Sequence, residues 1–112
     1  MKKLLAKISK NGDFRLYLLS NTNAVHFNYI RREFPYVNLL HKFGLSYKLG
    51  YLKPDVRIYK QFIQRFKIKP EESLFIDDLE TNCSSARDFG FNVIHYKGYD
   101  NFIEQFNKKL KI

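Results

Sequence analysis

Two carboxylates stand side by side at Asp77-Asp78, directly after the apolar run Ser73-Leu74-Phe75-Ile76. Adjacent carboxylates at the mouth of a buried strand repel each other unless a cation or a proton compensates them. Mg2+ is a natural compensator, because it prefers hard oxygen ligands, keeps several waters and bridges to phosphate. The same pair also reads as an acidic turn in which one aspartate caps the following helix. Lys53, in Lys-Pro-Asp (53–55), is a second group of interest. An ammonium held ahead of a rigid proline can lie over a phosphoryl oxygen or a carboxylate; in a lysine-rich chain it reads equally as a surface lysine. The third element is Ser20-Asn21-Thr22-Asn23. A hydroxyl at a strand end, followed by free N–H groups at a helix start, forms an anion cradle, and the same residues serve as N-cap side chains. Each element alone is commonplace. Together, in this order and each at a strand mouth, they describe a place where an anion and a divalent cation meet.

The elements that must position these groups follow from periodicity. Arg15 to Leu19 is a near-continuous apolar run, which suits a strand buried on both faces, after the turn signal Asn11-Gly12-Asp13. Asn21, Thr22 and Asn23 offer N-caps for a helix through about Phe34, with Phe27, Ile30 and Phe34 on one stripe and Pro35 at its end. His41 to Ser46 reads as a second strand. Pro54 and Asp55 suit a helix entrance, and Ile58, Phe62, Ile63 and Phe66 keep a helical stripe up to the Lys67–Pro70 break. After Ser73–Ile76, a strand, Leu79 to Phe89 is helical, with Leu79, Cys83 and Ala86 facing inward and Gly90 at its C-cap. Phe91 to Tyr96 is a further strand, and the last helix buries Phe102, Ile103, Phe106 and Leu110. The order β-α-β-α-β-α-β-α predicts an α/β fold, a parallel sheet of four strands alternating with helices. Ligands of such sheets bind beyond the carboxyl ends of the strands. Ser20, Lys53, Asp77 and Asp78 fall there.

Composition narrows the function classes. At 112 residues the chain fits one domain, 1–112, and its 45% hydrophobic and 17% aromatic content predicts a globule. No apolar run approaches the roughly 18 residues of a membrane span, so no membrane partner is expected. The opening Met1–Ile8 is interrupted by charge at Lys7 and reads as the end of an amphipathic helix rather than a leader. A single cysteine, Cys83, forbids an internal disulfide, and the scattered His26, His41 and His95 offer no zinc spacing. A reducing cytoplasm is the expected compartment. The net charge of +9 permits a basic nucleic-acid-binding domain, but the basic residues form no block of like charge. Solvated helix faces account for them, and no nucleic-acid partner is expected.

Leu-Leu-Ser-Asn-Thr-Asn (18–23), Gly-Tyr-Leu-Lys-Pro-Asp with Ile-Tyr (50–59), and Leu-Phe-Ile-Asp-Asp with Asn82, Ala86, Gly90 and Tyr96 closely resemble the second, third and fourth motifs of haloacid dehalogenase-like hydrolases. The resemblance runs from about Phe14 to Gly98 and is nearest to phosphatase-type members with a small helical cap. It implies a three-layer Rossmannoid sheet and Mg2+-dependent hydrolysis of a small phosphorylated substrate. By the same resemblance, Ser20 and the Asn21 backbone would bind the phosphoryl group. Lys53 would offset charge on the nucleophile and phosphoryl oxygens. Asp77 and Asp78 would hold Mg2+, directly or through water, and Asn82 would steady their loop.

One part of the pattern is missing. The family's first motif is Asp-x-Asp, whose first aspartate is the nucleophile, and no two aspartates of this chain are separated by one residue. Cys83, on a predicted core face, is no substitute. The expectation is therefore an incomplete sheet without its central first strand, the C-terminal part of a longer parent in which Met1 is internal. Alone, the chain is expected to be inactive. The open strand edges would pair with each other, with the missing N-terminal segment, or with a second copy. The alternative is a non-catalytic remnant that keeps the phosphate and metal cradle as a binding or regulatory module.

Overall fold

The computed structural model describes residues 2–110, the side chain of Leu110 excepted, so the expected burial of Leu110 and the place of Met1 lie outside the described residues. Among the described residues, six α-helices and four strands run in the order α1 (Lys2–Ser9), β1 (Tyr17–Ser20), α2 (Ala24–Glu33), β2 (Lys42–Leu45), α3 (Ser46–Leu49), α4 (Val56–Phe66), β3 (Leu74–Asp77), α5 (Glu80–Asp88), β4 (Asn92–His95) and α6 (Tyr99–Leu110). Two 3₁₀ turns, Pro35–Leu39 and Pro70–Glu72, begin at the prolines that break the helical pattern. The strands form two parallel ladders. Tyr17 to Ser20 pair in register with Lys42 to Leu45, and Leu74 to Asp77 with Asn92 to His95. Among the described residues each ladder is a separate two-stranded sheet. The α/β class and the parallel pairing are as expected, and the sheet is incomplete. No helix among the described residues is long and apolar enough to cross a membrane.

The chain divides into two compact units, Met1–Leu52 and Lys53–Ile112. In the first, Phe27, Val37 and Leu45 form a buried cluster, with Leu18, Ile30, Tyr36, Leu40 and Phe43 packed against it. Phe27 meets Phe43 edge to face at 5.2 Å. Arg31 lies over both rings and is steadied by Asn38 Oδ1 at 2.9 Å. Asn23, one of the three candidate caps, accepts the His26 N–H at 2.9 Å and starts α2. Phe34 departs from the predicted stripe. It is the C-cap, with extended φ, and turns outward at 40% exposure. All four residues of β1 are half-buried rather than enclosed, because a two-stranded ribbon is too narrow to cover both faces.

The second unit has the deeper core. Ile58, Tyr59, Cys83, Ala86 and Ile94 are wholly buried, and Phe102 and Phe106 nearly so. Tyr59 packs its ring against Phe75 and Phe89, at 5.7 and 6.0 Å. The strongly amphipathic α4 begins at Asp55, which accepts the Arg57 N–H at 2.9 Å, and ends at Lys67 in the left-handed region. Leu79, predicted to face inward, is 55% exposed. It is the extended N-cap of α5, so its side chain leaves the helix stripe, and Asn82 takes the inward position instead. Gly90 follows α5 at φ 93°, a conformation that favours glycine.

Candidate active site

Asp77 ends β3, and its carboxylate is only 6% exposed. Three groups donate to it. Lys53 Nζ lies 2.8 Å from Oδ2, the Leu79 N–H 2.9 Å from Oδ1, and Asn82 Nδ2 3.2 and 3.3 Å from the two oxygens. Burial pushes this carboxyl up, but the bonds from Lys53, Leu79 and Asn82 and the lysine charge outweigh burial and hold it below its ordinary 3.8. Asp77 is thus a buried anion at the end of an apolar strand, paired because it must be.

Local structure explains how each partner arrives. Lys53 precedes Pro54 through a cis peptide, and Ser85 Oγ donates to the Pro54 carbonyl at 2.7 Å, tying this loop to α5. Asp55 is drawn down to about 2 by the side chain and N–H of Arg57. Asn82, buried in α5, has its carbonyl held by the Tyr59 hydroxyl at 2.8 Å. Burial, reinforced by the Asp77 charge, pushes the Tyr59 hydroxyl well above its ordinary value, so it stays a neutral donor. The Cys83 thiol is buried and likewise pushed up by burial, which makes it a packing group.

Asp78 is the contrast. It is exposed, and among the described residues its carboxylate makes no hydrogen bond or ion pair, while its carbonyl lies 2.9 Å from His95 Nε2. One unengaged carboxylate beside an anion already held by Lys53 is a donor set that fits Mg2+. That ion needs one or two carboxylate arms and completes its shell with water and phosphate. A full protein cage is not present, since no group of three metal-ligating side chains exists among the described residues.

In the first unit, Ser20 ends β1 opposite Leu45, and Asn21 follows it. The next residue is locked by a reciprocal pair: the Thr22 N–H donates to Ser46 Oγ at 2.8 Å, and Ser46 Oγ donates to the Thr22 carbonyl at 2.9 Å. An open groove of about 330 Å³ beside them is lined by Thr22, Ser46, Tyr47, Gly50, Tyr51 and Leu52. Of the residues singled out from sequence, Lys53 and Asn82 both contact Asp77, Asp78 adjoins Asp77 in the chain, and Ser20 and Asn21 belong to the other unit. Sequence reasoning missed Ser46, Glu80 and His95. Ser46 directly follows β2 as Asn21 follows β1, a parallel visible only once the register is known. His95 is the ladder partner of Asp77.

A family model for haloacid dehalogenase-like hydrolases matches residues 1–90. The chain belongs to this family. Among curated proteins, it is 32% identical over 97 residues to a D-ribitol-5-phosphate phosphatase of Bacteroides thetaiotaomicron, covering 81% of this chain and 47% of that protein. A solved family enzyme from the same organism, crystallised with magnesium and inorganic phosphate, superposes with a TM-score of 0.77 at 36% identity, over 85% of this chain and 50% of the other. A predicted haloacid dehalogenase-like hydrolase of Porphyromonas gingivalis gives 0.82 at 30% identity, over 98% and 57%. The chain thus spans about half the length of these relatives.

Proposed function

We propose that this chain contributes the phosphate- and magnesium-binding groups of a phosphatase acting on a small phosphorylated metabolite. The reading is carried by one observation, the buried Lys53–Asp77–Asn82 contact set beside the unengaged Asp78 carboxylate. In this reading Asp78, with Asp77, would hold Mg2+, which supplies charge neutralisation at the phosphoryl oxygens. Lys53 keeps Asp77 ionised and places a second positive charge at the same strand end. Ser20 and the Asn21 backbone would donate to phosphoryl oxygens, and Asn82 fixes the loop through Asp77. The D-ribitol-5-phosphate phosphatase and the magnesium- and phosphate-bound enzyme among its relatives support both the ligand class and the ion.

The covalent acceptor is not among these 112 residues, because they contain no Asp-x-Asp. Phosphoryl transfer by this route needs that acceptor as well as positioning. The 112-residue chain alone is therefore expected to leave p-nitrophenyl phosphate intact in Mg2+. Metal-dependent turnover lost in Asp78→Ala would contradict that. Binding is the positive test: inorganic phosphate added with Mg2+ should shift the amide resonances of Ser20, Asn21 and Asp78, and a spectrum unmoved at all three defeats the reading. The same lack of Asp-x-Asp favours, as a second reading, a binding module that retains the cradle without catalysis. The two readings part when a strand bearing Asp-x-Asp is fused ahead of the chain, since only the first predicts turnover.

A further inference from the structure

A cluster with no part in the proposed phosphate chemistry lies on the far side of the Asp78 peptide. In the β3–β4 ladder the Asp77 carbonyl accepts the Tyr96 N–H at 2.8 Å, and there the backbone pairing of β3 stops. The next carbonyl, that of Asp78, is met by a side chain: His95 Nε2 at 2.9 Å. The other ring nitrogen, Nδ1, lies 3.1 Å from Glu80 Oε2, and Glu80 Oε1 receives Arg87 at 2.8 Å. Arg87 holds the Glu80 carboxyl below its ordinary value, so it stays an anion facing the ring. An acceptor oxygen thus stands beside each ring nitrogen of His95, whose side chain is only 24% exposed. On the near side, the Leu79 N–H is bound to Asp77 Oδ1 at 2.9 Å.

We infer that His95 is a positioning residue: it extends the sheet by one carbonyl beyond β3 and so fixes the direction in which the Asp78 carboxylate is presented to a divalent cation. This inference rests on the proposed magnesium role of Asp78. The physical reason is that a lone exposed carboxylate on a free loop must be ordered when the ion binds, and that ordering weakens affinity. With the peptides on both sides of Asp78 already bound, only its side-chain rotamers remain to be ordered. Groups that orient a metal ligand from behind typically matter by 10- to 100-fold in affinity.

The test is a Mg2+ titration of the isotopically labelled 112-residue chain, followed at the amides of Asp78 and Leu79. His95→Phe keeps a ring in the same space without either nitrogen and should weaken Mg2+ about 10-fold. His95→Gln, which retains an N–H donor able to reach the Asp78 carbonyl, should recover most of that loss. The amides of Ile94 and Phe102 report in the same spectra that the core is intact. Unchanged affinity in His95→Phe, or no recovery in His95→Gln, overturns the inference. A measurement on the unaltered chain guards against a variant that fails to fold. The order parameters of Asp78 and Leu79 without metal should be near about 0.85, and values below about 0.6 overturn the positioning role. Asp78→Ala with undiminished Mg2+ affinity would defeat the functional reading itself, an outcome distinct from failure of His95 alone.

Discussion

The two units hold polar groups at the carboxyl ends of similar two-stranded parallel sheets, and they do so by different means. At the end of β3 the anchor is ionic, a carboxylate and an ammonium that are 6% and 12% exposed and share a 2.8 Å contact. At the end of β1 the anchor is neutral, the reciprocal bonds of Thr22 and Ser46. Charge in the sequence runs the other way. Residues 1–52 carry nine Lys or Arg against two Asp or Glu, whereas residues 53–112 carry eleven against nine. The basic excess therefore belongs to the unit whose strand ends are neutral. A buried ion needs a specific partner at short range, and a general surplus of exposed charge does not supply one. Arg31 illustrates the surplus: it stacks on Phe27 and Phe43 and, among the described residues, pairs with no acid.

Breaking the ionic anchor should have the largest effect. Lys53→Met leaves Asp77 buried without its cation and is expected to cost about 3 kcal/mol, the lower end for removing one partner of a buried pair, since Leu79 and Asn82 still donate. Hydrogen exchange at Ile94, which is wholly buried, reads the loss within the unit that suffers it. Adding Asp77→Asn should restore at least half of it. A double variant as unstable as Lys53→Met alone would show that the lysine acts by packing over Phe75 rather than by charge.

Acid sharpens the same contrast with a smaller effect. The carboxyl of Asp77 is lower in the folded chain than its ordinary 3.8. Its stabilisation is thus fully present above that value and is lost as pH falls through the depressed one. Urea unfolding compared at about pH 6 and about pH 3 should show a loss that Asp77→Asn lacks. Asp55, lowered to about 2 by Arg57 but lying at the surface, should contribute far less to the same acid sensitivity. Equal protection by Asp55→Asn would erase the distinction between buried and exposed pairs.

Much of the fold was legible because its signals are local. The apolar runs before Ser20 and Asp77, the Asn21–Asn23 caps and the stripe from Ile58 to Phe66 each declare an element without reference to the rest of the chain. The strand limits were less legible: β1 starts at Tyr17 instead of Arg15, and β4 ends at His95 instead of Tyr96. There the ladder, not hydrophobicity, sets the boundary. Chemistry divided in the same way. Lys53 and Asp77 were identified by type and position and Asn82 by the family resemblance, and both Lys53 and Asn82 donate to Asp77. The different environments of Asp77 and Asp78 could not be read from two identical neighbours, because burial is decided by Lys53 and α5 arriving from elsewhere. His95 and Ser46 were hidden for a similar reason, since each acts through a register between distant strands.

The neutral anchor offers the next test. Ser46→Ala removes the hydroxyl that satisfies both the N–H and the carbonyl of Thr22, and an unsatisfied, half-buried backbone pair is worth about 1.5 kcal/mol. Exchange of the Thr22 amide should accelerate by about tenfold. Ser46→Thr, which keeps the hydroxyl, should hold it near the wild-type rate.

Asn23→Ala carries the smallest expected change. Its Oδ1 accepts the His26 N–H at 2.9 Å, while its backbone carbonyl already receives the Phe27 N–H at 2.9 Å, so only one of the orphan donors of α2 is at stake. The expected loss is about 1 kcal/mol, confined to exchange of the first-turn amides. Asn23→Asp should recover it and add a little, because a negative charge suits a helix start that has no acid in its first turn and lies in the basic half of the sequence. If Asn23→Asp proves no better than Asn23→Ala, the surplus positive charge of residues 1–52 is too well screened to reach even this strand end. The neutrality of the Thr22–Ser46 anchor would then reflect local geometry alone.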